Sequence, residues 1–310
     1  MAQLGIPHAI RTAPAIVRST IRQHSIKVEL STPAIGAEIS NVSMADVGKD
    51  AELAGEIRKL WLQHKVLFFR DQHVTAMEQQ EFAAQFGELE PHPTLPMHPE
   101  APLVLPLYRN LDPNKPNLVE KASRENIWHV DLSYLATPTR GAVLRCETCP
   151  DTGGDTMWSN MVLAYAMLPE RIKTRIDDLY ARHDAEHMFA AQLPLEKRHQ
   201  AAARLPSVDQ PVVLAHPETG EKVLFVNQAF TTHFSNFYNF EDVRYGQDFA
   251  FESNALMNYL LAQPAIPEYQ VRLKWRPGTV AMWDNFSTQH YAVADYGREP
   301  RKMLRATIKV

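Results

Sequence analysis

His129 and Asp131 stand two apart in Trp128-His129-Val130-Asp131. On extended backbone such residues point to the same side, so an imidazole nitrogen and a carboxylate oxygen can be presented to one point. An H-x-D pair arises about once by chance in a chain of this size, and a surface histidine beside an aspartate is its ordinary alternative. Far along the chain, Thr279–Trp283 reads as a strand, Asp284-Asn285 as a turn, and Ser287-Thr288-Gln289-His290 brings a second histidine to a strand edge. Taken alone, His290 is as readily a buried structural residue. Together the three side chains form a two-histidine, one-carboxylate set, which holds an octahedral iron(II) by one face and leaves three positions open on the other.

A third piece lies in Arg301-Lys302-Met303-Leu304-Arg305. On a strand, Arg301, Met303 and Arg305 share one face while Lys302 and Leu304 share the other. Two arginines turned into a barrel are costly unless each meets an anion. The planar guanidinium fork suits a carboxylate or a sulfonate, which it binds with two parallel hydrogen bonds. Thr156, entering a strand after Gly153-Gly154-Asp155, offers a hydroxyl donor. The alternative for the arginines is a surface strand with solvated charges, and three pieces in this chain order argue against it.

These residues need strands to carry them, and the chain supplies many short ones. Ser25–Leu30 and Ile35–Val42 alternate in strand fashion, Val66–Phe69 is a short buried run, and Gly36 marks a turn. Leu53, Ile57, Leu60 and Trp61 fall at helical spacing within Glu52–Lys65. Thr75 and Glu78 form a capping-box pair opening a helix through Phe86 that Gly87 stops. The stretch 88–126 holds eight prolines and reads as loop. Beyond it, strands are expected at Ala142–Cys146, Thr156–Trp158, Val212–Leu214, Val223–Val226, Val271–Trp275, Thr279–Trp283 and Met303–Ile308, with helices near Val162–Leu168, Pro169–Tyr180 and Ala255–Ala262. This mainly β pattern predicts a β-sandwich or jelly roll with flanking helices in one domain, not a parallel α/β sheet.

Composition bounds the partners. Of 310 residues, 45% are hydrophobic and 22% charged, with a net charge of −4. Neither a nucleic-acid partner nor a membrane partner is expected from this balance, and no apolar run approaches the roughly 18 residues that span a bilayer. The only cysteines, Cys146 and Cys149, lack the further ligands of a zinc site. They read as reduced structural thiols, consistent with the cytoplasm. Residues 1–24 are expected to be a disordered tail ahead of the first strand. A transit peptide is the alternative, since Met1–Val28 has four basic residues (Arg11, Arg18, Arg22, Lys27) and no acidic one. The chain is expected to be a homo-oligomer, a dimer or tetramer.

From about Ser25 to its end, the sequence resembles the TauD/TfdA family of iron(II)/2-oxoglutarate dioxygenases. The motifs that carry the resemblance are HKVLFFRDQ (64–72), WHVDLSY (128–134), GGDTMW (153–158), LFVNQAFTTHF (224–234) and WDNFSTQHYAVADYGREPRKMLRATI (283–308). The resemblance implies a double-stranded β-helix, the jelly roll reached above. It implies that His129, Asp131 and His290 bind iron and that Arg301, aided by Thr156, holds the distal carboxylate of 2-oxoglutarate. Oxygen is then used to hydroxylate a small anionic substrate, with succinate and CO2 as co-products. Arg305 matches the arginine that binds the substrate's anionic group, His92 a histidine that assists it, and Phe230 an aromatic residue of the pocket. Leu95 stands where an aromatic residue is expected, and Glu125 where the taurine pocket has an asparagine. The implied substrate is an organosulfonate or a sulfate ester, releasing sulfite or sulfate; a carboxylate is the alternative. Residues 233–254 form an aromatic-rich insert, expected as a lid over the substrate or as a surface or oligomer patch.

Overall fold

Alternating apolar side chains and well-placed turn residues give this chain fifteen strands among its described residues. The first eight are β1 Lys27–Leu30, β2 Ala37–Ser40, β3 Val66–Phe69, β4 Val104–Arg109, β5 Gly141–Thr148, β6 Thr156–Asn160, β7 Tyr180–His183 and β8 Val208–Pro211. The rest are β9 Val213–Ala215, β10 Lys222–Leu224, β11 Thr231–Phe234, β12 Gln270–Leu273, β13 Val280–Asp284, β14 Thr288–Ala292 and β15 Arg301–Ile308. The structure, a computed structural model, describes residues 26–92, 95–110, 125–186, 194–240, 243–244 and 248–310. The tail expected over residues 1–24 lies outside them, as do positions 241–242 and 245–247 of the expected insert.

A seven-stranded sheet in the order β1-β2-β3-β13-β5-β15-β4 faces a three-stranded sheet in the order β12-β6-β14. Among the described residues every strand pair is antiparallel except β2 with β3. Between the two sheets Val66, Phe68, Leu144, Trp158, Leu273, Ala281, Trp283 and Met303 form one apolar core. This is the jelly roll read from the sequence. Each face of the large sheet has its own set of side chains, because the strand period is two. Along β15, Met303 enters this inner core while Leu304, Ala306 and Ile308 point the other way.

That outer face is covered by helices α1 Met44–Val47, α2 Ala51–His64 and α3 Ala76–Ala84. Ile57, Trp61 and Phe82 of these helices pack on Leu67, Phe69, Met282 and Leu304 of the sheet. Asp50 opens α2 by accepting from the backbone of Glu52 and Leu53. The Thr75–Glu78 capping box opens α3 as expected.

Three segments differ from the sequence reading. Strand β4 lies in the proline-rich stretch read as loop. Pro106 lacks a ladder donor, but β4 is the last strand of its sheet, where that loss is tolerated. The helix expected to reach Tyr180 ends at Ile176, and Tyr180 instead begins β7. Residues 233–254 contribute the end of β11 and much of a helix spanning Asp248–Leu261. Phe234 and Phe237 are buried there in an accessory core with Leu260 and Val223, and Arg175 lies over the rings of Phe237 and Phe240.

Candidate active site

The two histidines meet through backbone pairing. His129 N–H donates to the His290 carbonyl at 3.0 Å, and His290 N–H donates to the His129 carbonyl at 2.9 Å. Directly opposed residues of an antiparallel pair project from the same face, so the two rings lie with centroids 4.0 Å apart. Asp131, two residues past His129, joins them. Its Oδ1 is 3.9 Å from His129 Nε2 and its Oδ2 is 3.5 Å from His290 Nε2. One donor atom from each residue lies within 4.8 Å of the others.

The protonation of this group fits a divalent cation. His129 Nδ1–H donates to the Ile127 carbonyl at 2.8 Å, which turns the Nε2 lone pair toward the centre. Burial, with the neighbouring His129, holds His290 well below the usual imidazole range, so its ring is neutral. Burial alone would raise Asp131, but Arg305, His290 and His129 outweigh it and bring its pKa down to about 2. Two imidazoles and one carboxylate converging on one point are donors that iron(II) takes.

Residues that the sequence did not single out hold this geometry. Asn285 clamps Asp131 from both sides: its Oδ1 accepts from Asp131 N–H at 3.1 Å, and its Nδ2 donates to the Asp131 carbonyl at 2.8 Å and to Thr139. The chain then turns through Leu132 in the left-handed region, φ 54°. Asp284 fixes the turn between β13 and β14, and so the register of His290. Its buried carboxylate accepts from Arg140 at 2.6 Å, His216 Nε2 at 2.7 Å, Ser287 at 2.8 Å and Phe286 N–H at 3.0 Å. Both residues sit in the quoted Trp-Asp-Asn motif, but Arg140 and His216 are far away in sequence and carried no signal there.

The two arginines of β15 face the interior as expected and separate along it. Arg301 is buried, with its guanidinium carbon 5.8 Å from the Tyr296 ring centroid. Thr156 faces the interior from the small sheet. Its Oγ1 accepts from Trp275 Nε1 at 2.9 Å and keeps its own proton to donate. Arg305 Nη2 lies 2.6 Å from Asp131 Oδ2, and its guanidinium is 5.7 Å from the Trp283 ring. His92 belongs to the Arg305 end, where burial and then the Arg305 charge lower its pKa. Leu95 N–H donates to His92 Nδ1 at 3.1 Å, so the neutral ring carries its proton on Nε2. Phe230 is buried against Tyr134, with ring centroids 4.9 Å apart. Burial and Asp131 push the Tyr134 phenol up to about 12, so it stays protonated. Leu95 is exposed. Glu125 is exposed as well, and its carboxylate lies 4.0 Å from Arg109, a residue opposite Arg301 rather than Arg305.

Residues 27–307 match the family model described as taurine catabolism dioxygenase TauD, TfdA family. The chain belongs to the TauD/TfdA family. It is 35% identical over 286 residues to an alkylsulfatase of Acinetobacter baylyi, covering 89% of this chain and 83% of that protein. It is 32% identical over 310 residues to an alpha-ketoglutarate-dependent sulfate ester dioxygenase of Pseudomonas putida, covering 97% of this chain and 92% of that one. The crystal structure of a taurine dioxygenase from Burkholderia xenovorans superposes with a TM-score of 0.72 at 29% identity, over 92% of this chain and 89% of that one. This TauD/TfdA-family protein is an iron(II)- and 2-oxoglutarate-dependent dioxygenase, and its His-Asp-His group fits the iron. Among the described residues no helix is long and apolar enough to cross a membrane.

Proposed function

We propose that this dioxygenase hydroxylates a small alkyl sulfate ester, or the related sulfonate, at the carbon that bears the head group. The observation that carries this reading is Arg305. It is a second inward guanidinium on β15, and it ends at Asp131 of the candidate iron site rather than beside Arg301. A substrate anion held there would have its neighbouring carbon next to the metal position. His92, with its proton on Nε2, adds a donor on the same side.

His129, Asp131 and His290 would hold the iron, and Arg301 with Thr156 the distal carboxylate of the co-substrate. When bound, iron(II) with 2-oxoglutarate and oxygen supplies the power to oxidise an unactivated C–H bond. The protein's own part is placement. Arg305 holds two oxygens of the head group through its fork, and His92 donates to a third. Phe230 and Tyr134 give an apolar wall that keeps water from the carbon to be attacked. Hydroxylation beside an ester oxygen yields an unstable adduct that collapses to an aldehyde and sulfate; a sulfonate would give sulfite. The names of the relatives, alkylsulfatase and sulfate ester dioxygenase, support the ester. The free thiols Cys146 and Cys149 support a reducing cytoplasm as the site of action.

The test is a substrate panel read by succinate formation and by released sulfate or sulfite. It would cover alkyl sulfates of increasing length, alkyl sulfonates, taurine and aryloxy acids. Alkyl sulfates should give stoichiometric sulfate and succinate. Turnover of an aryloxy acid with every sulfur compound inert would overturn the assignment.

A further inference from the structure

On its outer side β15 pairs with β4, and the register sets Arg301 directly opposite Arg109, Met303 opposite Leu107 and Arg305 opposite Leu105. Leu107 packs against the core between the sheets, which puts Arg109, two residues on, on the same inner face as Arg301. Opposed residues of an antiparallel pair have Cβ atoms about 5 Å apart, and like charges so placed repel. Two guanidiniums side by side call for anions. Among the described residues Arg109 pairs with the carboxylate of Glu125 at 4.0 Å, with side chains 38% and 48% exposed, which is a weak pair. Among the described residues the buried Nε of Arg301 has no hydrogen-bond partner.

Backbone contacts draw these groups to the other co-substrate residue. The Glu125 carbonyl accepts from Ala292 N–H at 2.9 Å, and Ala292 is the β14 residue opposite Thr156. Asn110, just after Arg109, donates from Nδ2 to the carbonyls of Gly297 and Glu299, at 3.1 and 3.2 Å. That ties the end of β4 to the loop bearing Tyr296. Arg301 lies 5.8 Å from the Tyr296 ring centroid, and the Tyr296 phenol, raised by burial, also feels the charges of Arg109 and Glu125.

We propose that Arg109 is a second guanidinium for the distal carboxylate of 2-oxoglutarate, and that Glu125 is the counter-ion which that carboxylate displaces. The proposal rests on Arg301 and Thr156 holding the same carboxylate. It explains why the sheet sets two arginines opposite each other at the rim: the pair selects keto acids carrying a distal charge.

The experiment is calorimetric titration of Mn(II)-loaded protein with 2-oxoglutarate and with 2-oxovalerate, a keto acid of equal length lacking the distal carboxylate. Arg109→Gln should weaken 2-oxoglutarate about tenfold, as expected for loss of one partly exposed charged hydrogen bond, and leave 2-oxovalerate unchanged. Glu125→Gln should tighten 2-oxoglutarate, because Arg109 is then free of its competitor. Equal weakening of both keto acids by Arg109→Gln would show a structural role and overturn the proposal. So would wild-type 2-oxoglutarate binding by Arg109→Gln, or weakening by Glu125→Gln. Arg301→Gln serves as the control on the parent assignment. If it binds 2-oxoglutarate like the wild type, that assignment fails first and this one with it.

Discussion

Replacing Arg305 with Gln should separate three roles that the geometry brings together. In the metal-free protein Arg305 is the counter-charge of Asp131, at 2.6 Å, and their side chains are only 18% and 11% exposed. Solvent therefore screens the pair little. Removing one partner of such a pair costs about 3–5 kcal/mol, because a buried carboxylate is left uncompensated. For a chain of this size that is a fall in Tm of roughly 5–8 °C. Loading with Mn(II) gives Asp131 a new cationic partner, so the loss should shrink to less than half. Binding of 2-oxoglutarate, followed anaerobically by the visible absorption of the iron(II)–keto acid pair or by calorimetry, should stay near the wild-type value. Binding of the primary substrate should fall by a hundredfold or more, the equivalent of about 3 kcal/mol. Arg301→Gln should do the reverse, weakening the keto acid a hundredfold and leaving the metal-free Tm less affected. If Arg305→Gln weakens the keto acid as much as Arg301→Gln does, the division of labour is wrong. An equal Tm loss with and without metal would remove the ion pair from the explanation.

Gly141→Ala should be severely destabilising although the residue carries no side chain into the site: a Cβ there would clash with the Trp283 carbonyl and sit 2.6 Å from the Trp61 ring. A loss of about 3 kcal/mol, the upper end for overpacking, should appear in a denaturant melt; wild-type stability would mean that β5 and β13 can separate more easily than their register suggests. His183 gives a pH signature. Burial holds its folded pKa at about 4 against the usual 6.5, so the unfolded chain takes up the proton first as pH falls. Stability should therefore decline from pH 6.5 to 4 by about 3 kcal/mol and then level off, as far as this residue is concerned. His183→Gln should flatten that part of the profile. An unchanged slope would assign the proton to another group.

The chemistry of this protein is written in short local patterns, and those could be read from the sequence. H-x-D on extended backbone, R-x-x-x-R on a strand and the Thr75–Glu78 cap each depend only on a period of two or on a first helical turn, so neighbours in the chain suffice to define them. The strand-rich, cap-and-turn pattern fixed the jelly roll for the same reason. What could not be read is whatever depends on residues far apart. That His290 lies opposite His129, and not one residue out of register with it, comes from a backbone bridge across 161 positions. The buried Asp284 gathers Arg140 and His216, whose separations from it, 144 and 68 residues, hide them from any local pattern. Strand β4 reads as loop in the sequence because its proline argues against a strand until the sheet places it at an edge. With β4 went Arg109, whose position opposite Arg301 exists only once two strands are paired. Sequence named the donors and the face each occupies; tertiary structure chose which donors meet, because register and burial are set by the packing of sheets that no single segment contains.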